Sequence, residues 1–258
     1  MISVVCVYNN RQILEEYLLE SLRSQTVDYE LMLVDNTTGT FSSAAKALNY
    51  GGANAVGKYL MFVHQDVKLL SSTWLEDVEM ILESLHNIGV AGIAGVSEQL
   101  KGISSNLKEG DPPMKTCHLP LEKPLEVQTL DECLIIIPKI IFDEHILDEE
   151  VCDDWHLYAV DYCLSIKQLG YRVFVLPNLA HHRSAAYSMS SSYYSTLKKV
   201  LKKHKDHYPM IYTTMGSWNT SHSVCTNGFC LKLNKTRRYI SKMKGLAMSK
   251  MLSLHAKR

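Results

Sequence analysis

Three polar side chains stand where apolar runs of the sequence stop: Tyr8 closing ISVVCVY, Asp35 closing ELMLVD, and Asp66 in KYLMFVHQDV. In open α/β sheets ligands lie in the crevice beyond the carboxyl ends of the strands, so residues in these places are the first candidates for chemistry. A tyrosine can stack on a base, and an aspartate can accept hydrogen bonds from a base N–H or a ribose hydroxyl. A second aspartate can hold a divalent cation on a diphosphate. Together the three describe a nucleoside-diphosphate site. Each alone also has a plain reading: Tyr8 as core, Asp35 as a turn former beside Asn36, Asp66 as a helix cap or solvated acid. No glycine-rich phosphate loop follows the first run, neither the dinucleotide fingerprint nor GxxxxGK[ST]. Redox cofactors and ATP-hydrolysing folds therefore lose ground, and phosphate is left to a metal.

The elements that must position these groups follow in order. Residues 2–8 are a β-branched apolar run ended by Asn9 and Asn10, and RQILEEYLLESLRSQ sets Ile13, Leu14, Tyr17, Leu18 and Leu22 on one side of a helix. ELMLVDN reads as a second buried strand, residues 42–55 as a helix, and residues 59–63 as a third strand. STWLEDVEMILESL is again helical and GVAGIAGV a strand. This alternation predicts an α/β fold with a mostly parallel sheet flanked by helices. Residues 97–129, punctuated by Gly102, Gly110, Pro112, Pro113, Pro120 and Pro124, read as an irregular excursion able to fold over a bound ligand and exclude water. CLIIIP is a strand, residues 156–169 a helix stopped by Gly170, and YRVFVLP a strand. The expected division is a catalytic α/β domain over 1–185 and a basic, mainly helical extension over 186–258, looser between 216 and 228.

With 258 residues, 46% hydrophobic and 21% charged, the chain has the profile of a globular protein with one main domain. MISVVCVYNN has no basic n-region or cleavage site, and no eighteen consecutive residues are apolar, so neither a signal peptide nor a membrane span is expected and the location reads as cytoplasmic. Seven cysteines, an odd number without a framework spacing, read as reduced thiols. His222, Cys225 and Cys230 lack a fourth zinc ligand.

Five segments taken together, ISVVCVYNN, LESLRSQ, ELMLVDNTT, GKYLMFVHQDV and DDWHLYAVDYCLSIKQLGYRVFVLP, resemble family 2 glycosyltransferases of the GT-A, Rossmann-like fold over residues 2–185. The resemblance implies a nucleotide-sugar donor, most simply a UDP-sugar, a glycan or lipid-linked acceptor, and inversion at the anomeric carbon. It implies a role in assembling bacterial or archaeal surface polysaccharide. Asp35 matches the family's base-binding aspartate, and Tyr8 and Asn9 fall where its first loop lines the nucleotide. His64, Gln65 and Asp66 fall on its DXD motif, with Asp66 on the metal-binding aspartate, Gln65 at the nucleotide, and His64 replacing the first aspartate. An imidazole in that place favours Mn2+ over Mg2+. His181 and His182 lie where the family places a histidine near the metal or diphosphate.

The family's catalytic base is a carboxylate near the start of the helix after the acidic stretch, and its Glu-Asp pair is not cleanly preserved in DDWHLYAVD. Asp154 is favoured as lying at a helix N-terminus, where the dipole favours ionisation, with Trp155 as an acceptor platform. Asp161, seven residues on and nearly on the same helical face, is the second candidate, and His156 the third. Asp131 and Glu132, before CLIIIP, face either the donor sugar or water, and Asp131 is carried as a donor-sugar contact. A competing reading, prompted by the altered motifs, is a non-catalytic nucleotide-sugar-binding or scaffolding subunit.

The formal net charge of zero hides an asymmetry: residues 183–258 hold 15 of the 27 Lys and Arg but one of the 27 acids, Asp206. A solvated helical surface accounts for that, and so does an anionic partner, either a membrane surface or a phosphorylated acceptor; nucleic acid is set aside. In the membrane case the site works at the inner face of the cell membrane. Removal of residues 232–258 is then expected to abolish co-sedimentation with anionic vesicles, and undiminished sedimentation of the shortened chain contradicts the membrane reading.

Overall fold

The computed structural model describes residues 1–222 apart from 101, 117 and 185–188. The three runs that end in Tyr8, Asp35 and the HQD segment are adjacent strands: β1 (Ile2–Tyr8), β2 (Glu30–Asp35) and β3 (Tyr59–Val63). β1 pairs parallel with both neighbours, with Tyr8 opposite Asp35 and Val5 opposite Phe62. Parallel pairing carries all three polar ends to one edge of the sheet.

Seven strands make up that sheet, in the order Leu125–Glu126, Arg172–Val175, Ile88–Gly92, Leu134–Pro138, β3, β1, β2. Leu134–Pro138 runs antiparallel to both neighbours and Leu125–Glu126 antiparallel to Arg172–Val175, while the other pairings are parallel. The sheet is thus mostly parallel, as expected, with two reversed strands. The reversal has a positional consequence: Leu134 lies opposite Val63, so the residues before this strand reach the edge that the residues after β3 reach.

Alternate side chains of each strand enter opposite layers. Tyr59, Met61 and Val63 pack with Leu14, Leu18 and Trp74, and Leu60 and Phe62 pack with Leu48, Ile135 and Phe142. The first helical segment begins at Arg11, where Asn10 Oδ1 accepts from the Ile13 N–H at 3.1 Å, and continues to Leu22 through a π-helical turn, Glu15–Leu19. Helix Ala44–Asn54 is capped by Ser43 and comes close to the sheet through Gly51 and Gly52.

Residues 97–129 are more ordered than an irregular excursion. They contribute Ile103–Ser105 to a three-stranded sheet, and Lys108–Glu109 and Met114–Lys115 to a four-stranded sheet ordered Val67–Leu69, Ala180–His182, Lys108–Glu109, Met114–Lys115. Strands of two or three residues are too short to leave a periodicity in the sequence.

The compact unit extends to Ser221 rather than ending at 185. Helix Ser191–His204 is held to helix Tyr158–Gln168 by Asp161, whose Oδ1 meets His204 Nε2 at 2.8 Å and whose Oδ2 meets Lys203 Nζ at 2.8 Å. A hairpin, Met210–Thr213 with Gly216–Asn219, follows where loose or helical chain was expected. Cys225, Cys230 and the basic residues beyond them lie outside the described residues. No helix among those described is long and apolar enough to cross a membrane.

A Cβ at Gly51 would stand 2.5 Å from Val5 Cγ1 and 3.0 Å from Val34 Cγ2. Overpacking of this kind costs about 1–3 kcal/mol against about 1 kcal/mol gained in helix propensity. Gly51→Ala is expected to lower the urea midpoint without changing the slope of the transition; an unchanged or higher midpoint contradicts the close packing.

Candidate functional site

His64 follows β3 directly, and its N–H donates to the Cys133 carbonyl at 2.9 Å. A turn closed by Val67 N–H on the His64 carbonyl, 3.2 Å, presents Asp66. His182 arrives from strand Ala180–His182, which pairs antiparallel with Val67–Leu69 and sets His182 opposite Val67. One nitrogen or oxygen from each of His64, Asp66 and His182 lies within 4.8 Å of the others, and His182 Nε2 is 3.3 Å from Asp66 Oδ1. The second carboxylate oxygen of Asp66 accepts from the Ser184 N–H at 3.2 Å.

The charge states suit a cation. Burial, together with the facing charge of His182, pushes His64 down to about 4, so this imidazole is neutral near pH 7. Burial draws the Asp66 carboxyl upward, but the His182 hydrogen bond and the charges of His182 and His64 outweigh it and hold Asp66 at about 2. Burial draws His182 downward, and Asp66 more than compensates, leaving His182 above its ordinary value. The Tyr158 hydroxyl donates to the Glu132 carbonyl at 2.9 Å and lies 3.2 Å from His64 Nε2. With its proton so committed, the hydroxyl accepts from Nε2–H and leaves the lone pair of His64 on Nδ1. Two imidazoles and a carboxylate form a donor set that fits a divalent transition ion.

Two cavities meet at this cluster. One, ≈ 390 Å³, is walled by Tyr8, Asn9, Asn36 and Gln65; the other, ≈ 260 Å³, by Asp131, Glu132, His156 and Thr214; both share His64, Asp66 and Trp155. In the first, Tyr8 donates its hydroxyl to Asp35 Oδ2 at 2.7 Å, and Asp35 Oδ1 accepts from the N–H and hydroxyl of Thr37. The Thr37 bonds, with the Tyr8 bond, hold the Asp35 carboxyl below its usual range. Asp35 itself is exposed and is not among the residues that wall this cavity. Gln65 Oε1 accepts from the N–H groups of Asn9 and Asn10 at 3.0 and 2.9 Å, and its amide donates to Asn9 Oδ1 at 2.7 Å, bracing the loop after β1 against the HQD turn. Neither cavity wall contains Lys or Arg among the described residues.

On the other side the expected residues separate. Asp131 lines its cavity with both oxygens engaged, by Thr214 Oγ1 at 2.7 Å and the Cys133 N–H at 3.1 Å. Asp154 lines neither cavity, and it does not cap the helix. That helix starts at Tyr158, four residues later, after Leu157 in the left-handed region at φ 69° and with no side-chain cap. The spacing that placed Asp161 on the same helical face as Asp154 therefore has no helix to run along, and Asp161 points to His204 and Lys203. His181 faces away from His182, as strand neighbours must: its Nε2 is 2.8 Å from the Gly110 carbonyl, and its ring packs 5.7 Å from that of Tyr17. His156 does line the cavity, its ring 5.6 Å from that of Tyr193. Trp155, 38% exposed, stands at the junction of the two cavities. Glu132, set aside in the sequence in favour of Asp131, lines the same cavity beside His156; the signal was there, but it precedes a strand instead of following one.

Residues 2–208 match the model of the Glycosyltransferase like family. The chain belongs to that family. No curated protein matches it by sequence. Among solved structures, this glycosyltransferase-family chain is similar to a mannosyltransferase from Pyrobaculum calidifontis in complex with GDP-Man and Mn2+, at 12% identity and TM-score 0.56 over 80% of this chain and 64% of that one. It is also similar to GalNAc-T7 with UDP, GalNAc and Mn2+, at 16% identity and TM-score 0.57 over 79% and 47%. The third is S. aureus TarS 1–349 with UDP-GlcNAc, at 17% identity and TM-score 0.52 over 78% and 65%. The chain spans less than two thirds of the length of each. At these identities the shared feature is the GT-A fold, and the family 2-like resemblance read from the motifs holds.

An ion entering the His64, Asp66, His182 cluster must displace the proton that Asp66 stabilises on His182. Affinity for Mn2+ is therefore expected to rise by up to about tenfold per pH unit below the raised His182 value and to level off above it. Isothermal titration with Mn2+ between pH 6 and 8 checks this; affinity independent of pH, or falling as pH rises, contradicts it.

Proposed function

We propose that the chain is an inverting glycosyltransferase that moves a sugar from a nucleotide-sugar donor, most simply a UDP-sugar, to a hydroxyl of a glycan or lipid-linked acceptor. The observation that carries this is the His64, Asp66, His182 cluster in the wall where two cavities meet, because a transfer reaction needs its cation on the donor's diphosphate, beside the place where the acceptor enters. The ion, when bound, offsets the charge that develops on the departing diphosphate. Mn2+ fits the two imidazoles better than Mg2+ does, and it accompanies the donor sugar or nucleotide in two similar structures.

In this reading Tyr8 and Asn9 frame the nucleotide, Asp35 orients the Tyr8 hydroxyl, and Gln65 keeps the nucleotide loop in register with the metal ligands. Trp155 offers an aromatic face at the point where the sugar passes between cavities. The acceptor hydroxyl delivers its proton to a base on the segment 154–156. Assembly of surface polysaccharide at the inner face of the membrane agrees with the basic C-terminal third.

Thermal unfolding with UDP or GDP, with and without Mn2+, tests the reading. Ligand at about 100 times its Kd adds about 2.7 kcal/mol, which raises the midpoint by several degrees in a chain of this size. The native chain is expected to respond most to nucleotide and Mn2+ together, and Asp66→Ala to lose that combined response. An Asp66→Ala chain that responds like the native one contradicts the placement of the cation. Binding with no turnover of any nucleotide sugar supports the non-catalytic subunit instead.

A further inference from the structure

Helix Tyr158–Gln168 opens without a polar cap, on a leucine in the left-handed region, φ 69°. That backbone is uncommon for a branched apolar residue and persists only where its surroundings hold it. What holds it is Glu132: one carboxylate oxygen accepts from the Leu157 N–H, and the other lies 3.6 Å from His156 Nδ1. Both side chains are largely covered, 18% exposed for Glu132 and 28% for His156, and both line the cavity that contains His64, Asp66 and His182. The carboxylate thus holds the backbone that places residue 156 in the cavity wall and lies within ion-pair distance of Nδ1, so that Nε2 is the ring nitrogen it does not meet.

We propose, on the reading given above, that His156 is the base for the acceptor hydroxyl and that Glu132 is the positioning residue that holds it. As the acceptor oxygen bonds to the anomeric carbon, its proton passes to His156 Nε2. The bond from that carbon to the phosphate oxygen breaks, its electron pair leaving with the nucleoside diphosphate. The imidazolium so formed is paired with Glu132, which stays ionised throughout. Asp154 and Asp161, the two carboxylates considered for the base, line neither cavity.

The electrostatics agree with this geometry. The Glu132 contact holds His156 above its ordinary value against burial, with Asp154 adding to it, and burial raises Glu132 itself against the pull of His156. The groups facing the pair are Asp154, His64 and the Tyr193 ring at His156, and Asp131, Cys152 and the Tyr158 hydroxyl at Glu132.

The test follows the His156 imidazole signal by NMR through a pH titration of the full chain, assigned by its loss in His156→Gln. Glu132→Gln can still accept from the Leu157 N–H but carries no charge. The expected result is a native midpoint above the ordinary histidine value of about 6.5, falling in Glu132→Gln and falling by less in Asp154→Asn. An equal midpoint in native and Glu132→Gln chains overturns the proposal, whether or not the chain proves to be a glycosyltransferase. UDP with Mn2+ in thermal unfolding reports separately on the donor side, and a native chain that ignores them counts against the proposed function and not against the pair. Where UDP is released from a UDP-sugar, His156→Gln is expected to lose about 10²-fold or more in kcat with the UDP and Mn2+ response retained, and Glu132→Gln to shift the acid limb of the pH profile downward. Unchanged kcat in His156→Gln overturns the assignment of the base.

Discussion

The contact between Asp66 and His182 is the one on which the rest of the site depends. A carboxylate this covered is costly unless it is paired, and here its two oxygens are shared between His182 Nε2 and the Ser184 N–H. The short ladder between Val67–Leu69 and Ala180–His182 makes the pairing geometric, since it sets residue 182 beside the turn that carries residue 66. Lys108–Glu109 flanks that ladder on its other side, so residues between 97 and 129 take part in holding His182 in place. The charge arrangement matches the geometry: one imidazole neutral, one carboxylate ionised, and one imidazole whose proton a metal can replace.

A second constraint is the reversed strand Leu134–Pro138. A sheet with all its strands parallel would bring only residues after strands to the crevice. The reversed strand adds a segment that precedes one, and with it Asp131 and Glu132. Asp131 spends its carboxylate on Thr214 and the Cys133 N–H, tying the hairpin Met210–Thr213 and Gly216–Asn219 to the cavity wall. Glu132 turns toward Leu157 and His156. Two adjacent acids thus take separate work, one building the wall and the other orienting a side chain within it.

Much of this was legible in the sequence because apolar runs record their own ends. β1, β2 and β3 stop at Tyr8, Asp35 and the HQD segment, and parallel order places all three at one edge. What was not legible depends on pairing between distant segments. Nothing local distinguishes His181 from His182; strand alternation and the partner at Val67 decide which one reaches Asp66. Asp154 is placed at a helix N-terminus by the rule that polar residues open helices, and the helix instead opens on Leu157 with a carboxylate from residue 132 as its partner. Asp161 does stand in the first turn of that helix, but its carboxylate is committed to His204 and Lys203, distant in the sequence. Glu132 was overlooked as a principal group because the edge rule looks beyond strands, whereas this strand runs the other way.

The central claim is that two imidazoles and one carboxylate from two segments far apart in the sequence grip one divalent ion. Electron spin echo envelope modulation of Mn2+ bound to the chain tests it most directly, since imidazole nitrogens modulate the echo of a directly coordinated ion. The account predicts two nitrogen couplings in the native chain and one in either His64→Ala or His182→Ala. A native spectrum without nitrogen coupling, or one left unchanged by both substitutions, would contradict it.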